Sequence, residues 1–306
     1  MKQIIIASEH QVQLAEQIAQ KMNVPLIMSK TVRFADSEMR IDFVVDNDLI
    51  LEAHAIVVHS TGRPVHDNLM WLLLTCYQLK QKGVKTITAV IPYFGYGRQD
   101  KNSDGTVGAV QMIARMLEVA GIDQIVTVEL HVPEVIKYFS IPVHNIKLDN
   151  FIAHFLKHYC IKKDCTFIAP DKGADDRVVA IANQLDAPVM HFAKERYAVN
   201  QTRIISSQGT CKTDKSIIID DIIDTGSTIV HVAQELYQKN RSCNIAAFAV
   251  HPVLSANASD YLQQSVLSKV WVTNSIQLAI DQQFKKLEVV DISDEIVACL
   301  DNISIQ

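Results

Sequence analysis

The chain has 306 residues, of which 48% are hydrophobic and 21% charged, and its formal net charge is −5. This composition is that of a globular protein with room for two domains, and it excludes a disordered or fibrous chain. The negative charge gives no overall electrostatic basis for binding nucleic acid, and no apolar run approaches the ~18 residues that cross a bilayer. We therefore expect neither nucleic-acid nor membrane partners.

The cysteines indicate a reducing compartment. None of them stands in a C-x-x-C spacing, which argues against a zinc knuckle and against a disulfide framework. The first residues, MKQIIIASEH, lack the long apolar core and cleavage site of a signal peptide. We expect a cytoplasmic protein. The six cysteines are Cys76, Cys160, Cys165, Cys211, Cys243 and Cys299.

Short apolar segments alternate with longer amphipathic ones in the first half of the chain. The apolar runs predict strands in KQIIIAS, HAIVVHS, KTITAVIPYF and DQIVTVEL. Apolar residues three and four apart predict helices in QLAEQIAQKM, NLMWLLLTCYQLKQKG and VQMIARMLEVAG. Gly83 and Gly121 are expected to end the last two helices, and Pro92 the third strand.

The same rhythm restarts in the second half. Strands are predicted in CTFIAP, PVMHFA, KSIIIDD and NIAAFAV, and helices in DRVVAIANQL and STIVHVAQELYQ. Strands that alternate with helices indicate mainly parallel sheets covered by helices. Two such series predict two α/β domains, at 1–145 and 146–306, joined near Pro142–Asn150. The last helix is a candidate to return to the first domain.

The stretch SIIIDDIIDTGSTIV, residues 216–230, combines a predicted buried strand with three carboxylates and a hydroxyl-rich turn. In parallel α/β sheets, ligands bind where strands end and helices begin. Unpaired N–H groups and the dipole at a helix N-terminus favour a phosphate there. Thr225, Ser227 and Thr228 add hydroxyl donors, and Gly226 lets the backbone approach a ligand closely.

The aspartates of this stretch suit a different part of a ligand. Asp220 and Asp221 are appropriate for sugar hydroxyls or for a magnesium ion. The loop as a whole therefore predicts a phosphorylated-sugar site. The simpler alternative is that Asp224 and Ser227 only cap the helix that follows.

The stretch IIIDDIIDTGSTI closely resembles the ribose-5-phosphate signature of the type I phosphoribosyltransferase fold. Five further stretches resemble motifs of ribose-phosphate pyrophosphokinases, in unbroken order along the chain. The resemblance implies two tandem phosphoribosyltransferase-like domains, each a mainly parallel sheet flanked by helices. The stretches are RFADSEMRI (33–41), PYFGYGRQDK (92–101), VELHVPEVIKYFSIPV (128–143), APDKGADDRV (169–178) and HFAKERY (191–197).

The resemblance implies a reaction for nucleotide biosynthesis. The pyrophosphoryl group of ATP would move to the C1 hydroxyl of ribose 5-phosphate and leave AMP. Phe34 would wall the adenine, and Asp36 and Glu38 would hydrogen-bond to it from a neighbouring subunit. Arg98, Gln99 and Asp100 would complete the ATP site with His131. Without the neighbouring motif, Phe34 would be interpreted as a core aromatic.

The resemblance also assigns the metal ligands and the groups that act in the transition state. His131 and Asp171 would hold Mg²⁺ on the ATP phosphates, although a lone histidine after a strand is more often structural. Lys194 and Arg196 would stabilise charge on the transferred group. The polar segment that follows them predicts a mobile flap. The alternative is a β-hairpin that carries two solvated basic residues.

The ribose 5-phosphate site would comprise the two aspartates in the strand and the turn after it, together with the loop after CTFIAP. Its residues would be Asp171, Asp220, Asp221, Asp224, Thr225, Gly226, Ser227 and Thr228.

Two residues depart from the family pattern within its motifs. Ser37 stands where the family usually has glycine, and Glu129 where it usually has aspartate. The segment after Asp100 is also less basic than usual and the C-terminus lacks an aromatic, which puts regulation by phosphate and ADP in doubt. We expect a homo-oligomer based on dimers, with the hexamer left open.

Two other functions compete with this prediction. One is a non-catalytic regulatory paralogue that assembles with the active synthetase. The other is a phosphoribosyltransferase that consumes phosphoribosyl pyrophosphate, which would not need the ATP motifs of the first half.

Overall fold

The structure is a computed structural model, and it divides the chain into two compact units. It describes residues 2–43, 47–99, 108–160, 164–198, 201–209, 211, 213–239 and 244–304, without the side chains of 47, 194–198, 201–207 and 304. Unit 1 comprises Met1–Ile146, Ser275–Gln277 and Asp291–Gln306, and unit 2 comprises Lys147–Asn274 and Leu278–Val290. The predicted domain bounds, 1–145 and 146–306, stay a prediction.

The sheet of unit 1 has seven strands within the described residues, in the order β3-β2-β1-β4-β5-β6-β7. All neighbours are parallel except β2 and β3. The central strands are fully buried, because helices on both faces of a parallel sheet exclude water from it. The strands are β1 (Gln3–Ala7), β2 (Leu26–Arg33), β3 (Met39–Phe43), β4 (His54–Val58), β5 (Thr86–Ile91), β6 (Gln124–Val128) and β7 (Val143–Ile146).

Four helices of unit 1 precede unit 2 in the described chain: α1 (Val12–Met22), α2 (Asn47–Ile50), α3 (Val65–Gln81) and α4 (Ala109–Val119). The apolar stripe of α1 buries Leu14 and Ile18 against the sheet, as its periodicity predicts. Gly83 lies at φ 85° just after α3, in the left-handed conformation that ends helices and that glycine adopts without strain.

The sheet of unit 2 repeats the strand order of unit 1. Its seven described strands run β10-β9-β8-β11-β12-β13-β14, and only β9 and β10 are antiparallel. In both sheets the order therefore reverses beside the first strand of the unit, between β1 and β4 and between β8 and β11. The strands are β8 (Cys165–Ala169), β9 (Val189–Ala198), β10 (Gln201–Gln208), β11 (Lys215–Ile223), β12 (Asn244–Pro252), β13 (Lys269–Thr273) and β14 (Leu287–Val290).

Unit 2 contributes α5 (Asp149–Leu156), α6 (Asp175–Gln184), α7 (Ser227–Lys239) and α8 (Ala258–Gln264), and the chain then enters α9 (Ser293–Ser304), which groups with unit 1. The predicted α/β class, with two tandem and mainly parallel sheets flanked by helices, is confirmed. No helix in the described part of the chain is long and apolar enough to span a membrane.

Candidate active site

The predicted sugar-phosphate loop lies at the point of unit 2 where the strand order reverses. Strand β11 pairs with β8 from Lys215 to Ile218. The residues of β11 after Ile218 therefore extend beyond the carboxyl end of β8. Asp220 and Asp221 belong to this extension and are half-buried. The Asp221 N–H donates to Asp220 Oδ1 at 2.9 Å. A crevice at this place in an open parallel sheet is the usual ligand site.

The turn between β11 and α7 has the geometry of an anion site. Gly226 adopts φ 77°, and a Cβ there would come within 3.2 Å of Leu262 Cγ. Thr225 Oγ1 lies 3.0 Å from Ser227 Oγ, at the start of the helix. The turn therefore places two hydroxyls beside the N-terminal amides of α7, where a phosphate is favoured.

Asp171 follows β8 across the same reversal point. Its Oδ1 accepts the N–H of Gly173 at 2.9 Å and so caps the short 3-10 turn Lys172–Ala174. Nearby, Asp175 Oδ1 lies 2.7 Å from His191 Nδ1. Asp171 therefore has a structural role in the loop, and one of its two oxygens is engaged in that role.

Lys194 and Arg196, which are predicted to act in the transition state, lie in an antiparallel hairpin. The hairpin consists of strands β9 and β10 and includes the polar segment for which a mobile flap was predicted. Lys194 pairs with Ile204 and Arg196 with Thr202, and a register irregularity adjoins each of these two pairs. The side chains of Lys194 and Arg196 lie outside the described residues. The alternative of a β-hairpin describes this backbone, and the catalytic assignment of both residues stays a prediction.

In unit 1, the predicted adenine motif forms the turn between β2 and β3. Phe34 is 47% exposed, which excludes its interpretation as a core aromatic, and the Arg40 guanidinium lies 5.8 Å from its ring centroid. Asp36 Oδ1 accepts the Glu38 N–H at 3.1 Å. Ser37 adopts φ 74°, so the residue that replaces the family's glycine holds a conformation that glycine favours.

The second ATP motif forms the turn after β5. Gln99 N–H donates to Tyr96 O at 2.9 Å, and the side chains of Arg98 and Gln99 are exposed at the end of the turn. Tyr96 adopts φ 65°, a left-handed conformation for a residue other than glycine. Asp100 lies outside the described residues.

His131 follows β6, the neighbour of β5, and is exposed. Because β5 and β6 are parallel, His131 and the turn that carries Arg98 lie at the same edge of the sheet. Glu129, two residues earlier, is buried at φ 43° and donates its N–H to Ile146 O at 3.0 Å. Both residues that depart from the family pattern thus have a left-handed backbone.

The possible protein ligands for a metal ion are few. No group of three or more His, Cys, Asp or Glu side chains that could hold a metal ion occurs among the described residues. His131 belongs to unit 1 and Asp171 to unit 2. A carboxylate such as that of Asp171 suits Mg²⁺, which binds through one or two carboxylates, substrate phosphates and waters.

The sequence reasoning missed a buried polar pair at the reversal point of unit 1. His59, after β4, places Nδ1 3.0 Å from Ser8 Oγ, after β1, and its ring stacks on Trp71 with 4.2 Å between centroids. Burial lowers the pKa of His59 to about 3. The imidazole therefore stays neutral, at the reversal point of the unit 1 sheet.

We expect acidification to destabilise the protein through His59. Its folded pKa is below the ordinary 6.5, so the stabilisation is complete above pH 6.5 and is lost as the pH falls towards 3. The free energy of unfolding should fall by up to about 1.4 kcal/mol per pH unit from this group. Urea titrations of wild type and His59→Gln at pH 7 and 4.5 should show that the free energy of unfolding changes less with pH in the variant.

The control for this prediction is His158→Gln, at an exposed site, which should keep the pH dependence of the wild type. An equal pH dependence of the free energy of unfolding in His59→Gln and wild type would contradict the assignment to His59.

Comparisons with known proteins identify the family. The family model for the N-terminal domain of ribose phosphate pyrophosphokinase matches residues 3–121, and that for the phosphoribosyl synthetase-associated domain matches residues 169–304. Ribose-phosphate pyrophosphokinase 1 of Streptococcus pyogenes is 33% identical over 92% of this chain and 88% of its own. The enzyme of Listeria ivanovii is 32% identical over 92% and 87%.

A solved structure extends this similarity to the fold. The crystal structure of phosphoribosylpyrophosphate synthetase from Mycobacterium smegmatis matches with a TM-score of 0.88 at 26% identity, over 99% of each chain. Motifs, relatives and fold agree over nearly the whole sequence. The chain belongs to the ribose-phosphate pyrophosphokinase family, the phosphoribosyl pyrophosphate synthetases.

Proposed function

We propose that unit 1 binds the nucleotide and unit 2 the sugar phosphate in the family's reaction. That reaction is a diphosphotransfer, in which the pyrophosphoryl group of ATP moves to the C1 hydroxyl of ribose 5-phosphate. The bond from the C1 oxygen to the β-phosphorus forms as the bond between the α- and β-phosphates breaks, and AMP leaves. The position of the β11–α7 loop at the reversal point of unit 2 is the observation that carries the proposal.

The acceptor sugar is assigned to the β11–α7 loop. The 5-phosphate would bind the N-terminal amides of α7 and the hydroxyls of Thr225, Ser227 and Thr228, next to Gly226. Negative charge is favoured there by the helix dipole. The carboxylates of Asp220 and Asp221 would accept hydrogen bonds from the ribose hydroxyls, and the loop also includes Asp224.

The nucleotide is assigned to the carboxyl edge of the unit 1 sheet. The exposed ring of Phe34 would wall the adenine, with Asp36 and Glu38 as its hydrogen-bond partners. Arg98 and Gln99 would contact the phosphates from the turn after β5, and Asp100 is included with them. Exposed side chains on a restrained backbone suit such binding, because little conformational entropy of the backbone is lost.

We assign magnesium to His131 and Asp171 because the motifs that carry them resemble those of the family, and substrate phosphates and waters would complete the ligands of the ion. When bound, the ion neutralises charge on the phosphates. Asp171 would at the same time hold its loop in shape through Gly173. Lys194 and Arg196 would stabilise the charge that develops on the transferred group, by electrostatics rather than by covalent chemistry.

We also place the enzyme in the cytoplasm as a dimer-based homo-oligomer. No disulfide joins the cysteines in the described part of the chain, and reduced cysteines agree with a reducing compartment. A non-catalytic paralogue remains the alternative, and none of the comparisons favours it. A phosphoribosyltransferase would have no use for the nucleotide motifs of unit 1.

The decisive experiment follows AMP formation by the purified protein with Mg²⁺, ATP and ribose 5-phosphate. We expect equal amounts of AMP and phosphoribosyl pyrophosphate, and loss of both when EDTA is added. Ribose in place of ribose 5-phosphate should give little product, because the β11–α7 loop would have no phosphate to bind. No AMP, with or without added inorganic phosphate, would show that the chain is not catalytic.

A further inference from the structure

The loop between β4 and α3 in unit 1 occupies the same topological place as the sugar-phosphate loop of unit 2. Both loops leave the strand next to the reversal point and lead into a helix. Both also carry the dipeptide Thr-Gly, as Thr61–Gly62 in unit 1 and Thr225–Gly226 in unit 2. The two loops are therefore structural counterparts, and the use of each threonine can be compared.

The hydroxyl of Thr61 is used for hydrogen bonds to the turn after β5. Thr61 is 4% exposed. Its Oγ1 accepts a hydrogen bond from the Gly95 N–H at 2.6 Å and donates one to Tyr93 O at 3.2 Å. Its own N–H also donates to Tyr93 O, at 3.0 Å. The hydroxyl of Thr225, by contrast, lies 3.0 Å from Ser227 Oγ at the N-terminus of α7.

The loop that Thr61 contacts needs external restraint. It carries Arg98 and Gln99, and it contains Tyr96 in the left-handed conformation, which costs a residue other than glycine roughly 1–2 kcal/mol. A second side chain restrains the same turn, since Tyr96 Oη lies 2.8 Å from His66 Nδ1. Both Thr61 and His66 come from the loop or the first turn of the helix after β4.

We infer that Thr61 is a positioning residue for ATP binding, with His66 as a weaker second one. Thr61 fixes Gly95 and Tyr93, so that the turn presents Arg98 and Gln99 to the nucleotide phosphates. It does not touch the nucleotide. The loop that binds phosphate in unit 2 thus serves in unit 1 to shape the neighbouring nucleotide loop. This inference rests on the proposed function of Arg98 and Gln99.

The test is Thr61→Val, which keeps the side-chain volume but removes the acceptor for the buried Gly95 N–H. We expect the KM for ATP to rise by about tenfold, because a buried donor loses its partner, while the KM for ribose 5-phosphate changes less than about twofold. Thr61→Ser keeps the hydroxyl and should restore the KM for ATP to within about threefold of wild type. A purely structural role would move thermal stability without separating the two KM values.

Thr75→Val is the matched control. Thr75 is a buried threonine of α3, and its hydroxyl has no hydrogen-bond partner in the part of the chain that is described. Its replacement should leave both KM values unchanged. Equal KM values for ATP in Thr61→Val, Thr75→Val and active wild type would overturn the inference, whereas a wild-type protein that makes no AMP would overturn the proposed function itself.

Tyr96→Phe tests the second restraint on the turn after β5, and this test does not depend on whether Thr61→Val folds. It deletes only the hydroxyl that contacts His66. We expect its KM for ATP to rise by about threefold, less than for Thr61→Val, because the contact is exposed to water. A KM for ATP that equals the wild-type value would overturn the positioning role inferred for His66.

Discussion

Replacement of Lys194 by alanine is expected to lower kcat by about 10²- to 10³-fold, with the KM for ATP changed by less than about threefold. The ammonium is assigned to charge that develops on the transferred group, and such interactions act on the transition state more than on the bound substrate. Lys194 lies in β9, opposite Ile204, next to a register irregularity of the hairpin. AMP release at saturating Mg²⁺, ATP and ribose 5-phosphate measures this effect.

The control for Lys194→Ala is Lys157→Ala, which removes an exposed lysine after α5 in the same unit. It should retain wild-type kcat and both KM values. Arg196→Ala should resemble Lys194→Ala, because the two cations are assigned to the same charge. Near-normal turnover in Lys194→Ala would show that the β9–β10 hairpin does not take part in the mechanism. It would favour the alternative in which the hairpin only carries two solvated basic residues.

The central strands could be predicted from the sequence because parallel strands are buried on both faces. The run Ile4–Ala7 is completely buried, and so is Ile217–Ile219. Continuous apolar runs of this kind are a strong signal, and the glycines after α3 and α4 marked the helix ends. The predicted location of the sugar-phosphate loop followed from the same rule, since a strand that leads into a helix at a sheet edge was visible in SIIIDDIIDTGSTIV.

The strands at the sheet edges could not be predicted in the same way. Strands β2 and β3 are only partly buried, so their sequences do not form apolar runs. Strand β11 continues beyond the predicted KSIIIDD through Ile222 and Ile223, because it pairs with β12 there, Ile222 opposite His251. These outcomes depend on pairing between distant segments, which a local pattern does not contain.

The roles of Thr61 and His59 were hidden for a similar reason. Thr61 acts on Gly95, 34 residues later in the chain, and His59 contacts Ser8, 51 residues earlier. Ser37 was recognised as a departure from the family pattern, and the structure supplies its physical consequence in the positive φ of the turn. The motifs thus supply the residues that are assigned to the ligand, but not the residues that hold those assigned residues in place.

Gly95→Ala is expected to lower kcat/KM for ATP by about 10²-fold. A Cβ at position 95 would lie 2.3 Å from the backbone carbonyl oxygen of Thr61, in the loop after β4, and contacts under 3.0 Å essentially do not occur. The turn after β5 must therefore move relative to the loop after β4. A displacement of about 1 Å in groups that position a substrate costs roughly 10²-fold in rate.

The same substitution should lower the free energy of unfolding by about 1–3 kcal/mol, because overpacking strains a close-packed contact. The KM for ribose 5-phosphate should stay within about twofold, since the acceptor loop belongs to unit 2. Gly62→Ala is the matched control in the facing loop: its Cβ would lie 3.4 Å from Ile276 Cγ2, an ordinary van der Waals distance, so both KM values should be retained. If Gly95→Ala keeps wild-type kcat/KM for ATP, the turn that carries Arg98 and Gln99 does not bind the nucleotide in the conformation described, because that conformation has no space for a methyl group.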